Sequence, residues 1–261
     1  MRAQPHHAAG ARPWAILLLS LGAVIAQASP ALTGWASLRR ADLADGQLWR
    51  LVSGHWTHWS ADHLAWDLLV FAGAGAILER RGRRRLVLAC TGLAAMSVGV
   101  GVWLLEPGIG EYRGLSGIGT ALFTLATLDL LRDSLRSGHR EQAVLLAAVL
   151  AASLGKVGFE AGTGRALFVD TDAAGFVSLP LAHLLGGAVA PLLMLADRRR
   201  AAAGVPYLDP IATSRERVRK NSVPSAIAGV AMATSPRLLT ATSSKLAPAF
   251  TTCTSPSSLV K

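Results

Sequence analysis

Apolar residues along the chain gather into six runs, approximately 14–32, 62–78, 86–105, 115–131, 143–159 and 173–196. A helix that crosses a bilayer needs about 20 mostly apolar residues, and each run approaches that length. The pattern predicts an all-α, polytopic bundle of six transmembrane helices. The run 86–105 carries no charge, whereas 62–78 holds His63 and Asp67 and 173–196 holds His183. Ionisable groups at such depth are expensive and invite a functional explanation.

Composition agrees with this reading. The chain has 261 residues, 51% of them hydrophobic and 16% charged, and a mean hydropathy of +0.40, too apolar for an ordinary soluble domain. A net charge of +10 raises nucleic acid as a partner, but the basic residues fall in short clusters between apolar runs, not along one face with interleaved aromatics. They read as membrane topology. Arginines concentrate in residues 80–85, 132–140 and 198–200, with Arg2 and Arg12 on the same side, against Arg39, Arg40, Arg50, Arg113, Lys156 and Arg165 on the other. By the positive-inside rule both termini are expected to be cytoplasmic and the loop 39–58 external. A competing expectation makes residues 12–28 a cleaved leader, since Ala26-Gln27-Ala28 suits a small-residue cleavage site. After residue 200 the composition turns to Ala, Ser, Thr and Pro, so 1–200 is expected to be the membrane domain and 201–261 a disordered cytoplasmic tail. The two cysteines, Cys90 and Cys253, exclude a disulfide framework and a thiolate metal site.

With the arginine clusters as rulers and about 1.5 Å of rise per residue, Ser116 lies roughly 24 Å above Arg132 and His183 roughly 22 Å above Arg198. On the second run His63 and Asp67 lie roughly 26 and 20 Å above Arg80. Polar groups from three helices therefore share one layer. Gly114, Gly117, Gly119 and Ala121 flank Ser116, and Gly186, Gly187 and Ala190 follow His183, the small residues that let helix backbones approach closely. A nucleophile and its base need such an approach, because they must come within about 3 Å.

These residues resemble the rhomboid family of intramembrane serine proteases. Arg113-Gly114-Leu115-Ser116-Gly117 is similar to the family's Gly-x-Ser-Gly motif, and Ala182-His183-Leu184-Leu185-Gly186 to its Ala-His-x-x-Gly motif. Trp49-Arg50 resembles a loop pair, His58-x4-His63-x3-Asp67 the His-x4-His-x3-Asn pattern, and Gly75, Glu79 and Arg81 the Gly-x3-Glu-x-Arg element. The resemblance implies Ser116 as nucleophile and His183 as general base, with His63, Asp67, Gly114 and His58 as oxyanion or supporting groups. Trp49, Arg50, Glu79, Arg81, Gly117 and Gly186 would be structural. It further implies transmembrane protein substrates reached between the second and fifth helices, with the loop 160–171 as a movable cap, and it needs no metal or other cofactor. The stretches Trp49-Arg50-Leu51-Val52-Ser53-Gly54-His55 and Tyr112-Arg113-Gly114-Leu115-Ser116-Gly117 most resemble the rhombosortase branch. That branch implies a bacterial plasma membrane, an active site open to the outer side, and substrates bearing a C-terminal Gly-Gly sorting signal.

Two departures are Ala190, in place of a glycine, and Asp67, in place of the Asn that donates to the oxyanion. Burial favours a neutral Asp67 able to donate a hydrogen bond, whereas an ionised one would accept from His63 and orient it. The sequence requires no third carboxylate beside the dyad. His55, His58 and His63 lack a His-Glu-x-x-His arrangement, which disfavours a metal site, and Trp56 and Trp59 read as interfacial anchors. Other classes compatible with the pattern are a catalytically inactive binder of transmembrane clients and a proton-coupled transporter using the buried His and Asp.

Overall fold

The computed structural model describes residues 12–167 and 177–202. It is mostly helical, as the apolar runs predict. The tail expected at 201–261 lies outside the described residues beyond Ala202, where the last helix ends.

Helix α1 spans Trp14–Ala28 and α2 spans Pro30–Ala36. The expected single run 14–32 is therefore broken, and the two pieces meet at a 111° bend. Pro30 explains the break. A residue before proline is pushed into extended backbone, and Ser29, at φ −124° and ψ 104°, caps α2 by accepting the Leu32 N–H. The chain then builds a compact loop region before the long helices. Strand β1, Leu38–Arg39, pairs antiparallel with β2, Glu111–Tyr112, and between them in sequence come the short helices α3, Arg40–Ala44, and α4, Arg50–Ser53. Arg50 is buried and holds this loop from within. Its guanidinium donates to Ser37 O at 2.7 Å, Gly34 O at 3.1 Å and Gln47 Oε1 at 2.9 Å, and pairs with Asp42 at 3.1 Å. Trp49 beside it is half exposed and stacks on Trp35.

The long helices are α5, Ala61–Arg80; α6, Arg84–Leu105; α7, Ser116–Ser137; α8, Arg140–Thr163; and α9, Pro180–Ala202. Four of them, α5, α6, α8 and α9, are long and apolar enough to cross a membrane, and the bent α1–α2 pair makes up to five. Helix α7 falls short because Asp129, Arg132 and Asp133 cut its apolar stretch. It is instead the core of the bundle, packed against α5, α6, α8 and α9, with Ile118, Ala121, Leu122 and Leu125 sealed from the surface. A helix ringed by other helices has no lipid face to keep apolar. The sixth run was expected from residue 173, but its helix begins at Pro180, and 168–176 lie outside the described residues.

Outer surfaces of α1 and α8 expose Leu17, Leu18, Leu21, Val144, Leu145 and Leu154. Such apolar faces suit contact with lipid, not water. At the end of α5 away from the loops, buried Glu79 takes the Ile16 and Ala15 N–H groups at 2.6 and 3.3 Å and Arg84 at 3.0 Å. It thereby satisfies the first free donors of α1. Gly75 gives Ile16 room, since a Cβ there would collide with its side chain. Arg81 pairs with Asp129 at 2.9 Å and also with Asp133, tying α5 to α7. Glu79 and Arg81 thus both join α5 to neighbouring helices.

Candidate active site

Ser116 is the first residue of α7, so its N–H is among those with no partner inside the helix, at the positive end of the helix dipole. The turn that delivers it depends on Gly114, whose φ is +128°. A Cβ at Gly114 would meet the His63 ring at 3.0 Å and Asp67 Oδ2 at 3.2 Å. Only glycine lets the backbone pass this close. The Gly114 carbonyl in turn accepts from the Tyr112 hydroxyl at 3.3 Å and lies 3.3 Å from His55 Nδ1.

His183 sits in the first turn of α9, and the two helices touch where the small residues predict. A Cβ on Gly186 would fall far inside 3.0 Å of the Gly117 carbonyl oxygen, and one on Gly117 would lie 2.9 Å from the Ala182 carbonyl oxygen. These contacts join the neighbours of Ser116 and His183, so the two helices meet at the site itself. Ser116 and His183 line one cavity of about 690 Å³, together with His63, Asp67, Tyr112 and Glu160. On one flank the cavity is bounded by Trp66 and Val70 of α5, on the other by Val149 and Ala152 of α8.

Asp67 behaves as an acceptor. Its Oδ2 takes the Leu115 N–H at 2.7 Å and lies 3.2 Å from His58 Nε2 and 3.4 Å from His63 Nε2. The Leu115 N–H makes Oδ2 an acceptor, the arrangement the acceptor alternative requires. His58, expected from the sequence as a supporting residue near the outer loop, is fully buried against Asp67 and edge-on to His63. Its Nε2 faces Asp67 without a well-aligned hydrogen bond.

Several contacts were not legible beforehand. His55 is sealed in the protein with its ring nitrogens 3.0 Å from Ala95 O and 3.3 Å from Gly114 O, and burial lowers its pKa despite those carbonyls. Burial, reinforced by the Asp67 charge, pushes the Tyr112 phenol up, and its hydroxyl is in hydrogen-bonding reach of the Ser116 side chain. Trp56 donates to Leu19 O at 2.9 Å and packs on the core, and Trp59 lines the cavity under Arg113 at 4.3 Å. Neither acts simply as an interfacial anchor. The loop expected at 160–171 starts later, because α8 continues to Thr163 and Glu160 is a buried helical residue. Glu160 Oε2 lies 3.0 Å from His183 Nδ1. Its sequence signal was faint: Lys156 and Glu160 are spaced i, i+4 inside an otherwise apolar helix. Among the described residues no group of His, Cys, Asp and Glu is arranged to hold a metal ion.

The family model described as the Rhomboid domain matches residues 45–199, which covers every element of this site. The chain belongs to the rhomboid family. It is an integral membrane protein. Rhomboid proteins are serine intramembrane proteases acting on transmembrane substrates, and inactive members of the family also occur. A comparison with curated proteins gives no match.

Proposed function

We propose that this rhomboid protein is an active serine endopeptidase with Ser116 as nucleophile and His183 as general base. One observation carries the reading: Ser116 and His183 face one cavity on two helices whose backbones touch at Gly117 and Gly186. In the reaction Ser116 Oγ attacks the scissile carbonyl while His183 takes its proton, which later passes to the leaving amine. The oxyanion is met by the Ser116 N–H at the start of α7 and by His63, whose ring is held near Asp67. In a poorly solvated cavity such fixed donors are effective because they need not reorganise during reaction.

The proposed topology has six membrane crossings, with α7 as the central one, both termini cytoplasmic and the site open to the outer side of a bacterial plasma membrane. Basic clusters at the far ends of the helices support that orientation. We take α1 as part of the working enzyme, because Ile16 and Ala23 are fully buried and Glu79 caps its first turn. Residues 1–200 then form the protease, its last helix running on to Ala202, and the rest a tail. The motif around Ser116 further supports a rhombosortase-like preference for C-terminal Gly-Gly sorting signals with one transmembrane helix.

Labelling with a fluorescent fluorophosphonate tests the assignment. The wild type should be labelled in membranes, and Ser116→Ala and His183→Ala should lose the label while remaining folded and inserted. An inactive client binder or a transporter would show no Ser116-dependent labelling. Labelling that survives Ser116→Ala would rule the nucleophile out.

A further inference from the structure

Glu160 is a buried titratable group that a Ser116–His183 dyad leaves unused. It is 1% exposed, on a helix whose other buried residues are only Ala143 and Val157. A carboxylate in such a place is costly unless donors or charges surround it. Its two oxygens are divided between two sets of partners. Oε1 takes Lys156 Nζ at 2.6 Å and the Leu167 N–H at 3.2 Å. Oε2 has no other hydrogen-bond partner among the described residues and stands 3.0 Å from His183 Nδ1, which also has no other. The approach is off the ideal hydrogen-bond line, a looseness common where a catalytic contact tightens only with substrate bound.

We propose that Glu160 is a positioning residue for His183, turning the dyad into a Ser116–His183–Glu160 relay. The inference rests on the dyad reading above. Glu160 Oε2 accepts the Nδ1–H, which fixes the tautomer whose Nε2 is free to act as base toward Ser116. During acylation the Ser116 proton moves to Nε2 and the Nδ1 proton stays on the ring. Glu160 remains a carboxylate and stabilises the imidazolium so formed. Lys156 holds the opposite oxygen, so the carboxylate keeps a set direction. Other ionisable groups lining the cavity with His183 are His63 and Asp67 on α5, Glu111, Tyr112 and Arg113 ahead of α7, and Lys156 on α8. Helix α6, also packed on α9, has its only charged residues, Arg84 and Arg85, in its first turn.

A competing role would make Glu160 only the counter-ion of Lys156. Fluorophosphonate labelling rates of the full chain in detergent micelles, measured across pH, separate the two. Glu160→Gln should label about ten- to a hundredfold more slowly, below the roughly 10⁴-fold cost of losing the acid in a soluble triad. Its acid limb should move to lower pH, because the imidazolium has lost its counter-charge. The double variant Lys156→Gln/Glu160→Gln should stay as slow, whereas a counter-ion role requires it to recover. Should Glu160→Gln fail to fold, Glu160→Asp decides the matter. It keeps the charge for Lys156 but withdraws the carboxylate by about one C–C bond, roughly 1.5 Å, so labelling must slow by severalfold. Wild-type rate and pH profile in Glu160→Gln, recovery in the double variant, or an unimpaired Glu160→Asp would each overturn the proposal. A wild type that is not labelled at all would instead sink the dyad itself, and the relay with it.

Discussion

Replacing Gly186 with alanine perturbs the helix contact that the site depends on, and its neighbour supplies the control. The added Cβ would fall far inside 3.0 Å of the Gly117 carbonyl oxygen, a backbone atom that cannot rotate away, whereas ordinary contact begins near 3.4 Å. Helices α7 and α9 must therefore separate by on the order of 1 Å, and misplacement on that scale costs about a hundredfold in rate. Overpacking at a rigid contact costs about 3 kcal/mol, at the upper end of the usual range. Alanine's better helix propensity returns about 1 kcal/mol of that, leaving a net loss of about 2 kcal/mol. At Gly187 the new Cβ would meet only Thr120 Cγ2 at 3.6 Å and Thr124 Oγ1 at 3.9 Å. Gly187→Ala should therefore be neutral or stabilising by up to about 1 kcal/mol and fully active. The assay is the fluorophosphonate labelling rate beside thermal unfolding of each variant in one detergent. Equal rates and equal stabilities for Gly186→Ala and Gly187→Ala would refute the claim that this contact sets the distance between Ser116 and His183.

Asp67→Asn should slow labelling severalfold by a constant factor across pH, because an amide holds Leu115, His58 and His63 less firmly than an acceptor-only carboxylate. An alkaline loss present only in the wild type would instead revive the neutral donor. Glu79→Gln should lower stability by about 2–3 kcal/mol through weaker capping of α1 and loss of the Arg84 ion pair, and thermal unfolding with no change would contradict that role. The labelling rate of the folded fraction should be kept, since Glu79 stands roughly 24 Å along α5 from His63. Cysteines at Val70 and Ala152, in a background lacking Cys90 and Cys253, should slow cleavage of a transmembrane reporter once crosslinked. Unchanged cleavage with the bridge fully formed would exclude substrate access between α5 and α8.

Long apolar runs and the motifs around Ser116 and His183 made the membrane class, most helices and the proposed dyad legible. Bilayer thickness fixes helix length, and a nucleophile on one tight turn leaves a local signature in Gly114, Ser116 and Gly117. Depth along each helix could be counted from the arginine clusters, so His63 and Asp67 could also be placed in the right layer. Direction around each helix could not. That Asp67 meets the Leu115 N–H depended on how α5 faces the turn before α7, and whether Glu160 lay in a loop or against His183 depended on how α8 rotates onto α9. The break at Pro30 was written in the sequence as Ser29-Pro30, but an apolar run that continues through it hid the bend. Sequence by itself thus determined which residues lie at the depth of the chemistry, because helical rise is a one-dimensional measure. Only the tertiary structure decided which of them touch, because contact depends on the rotation and close approach of helices that no single segment encodes.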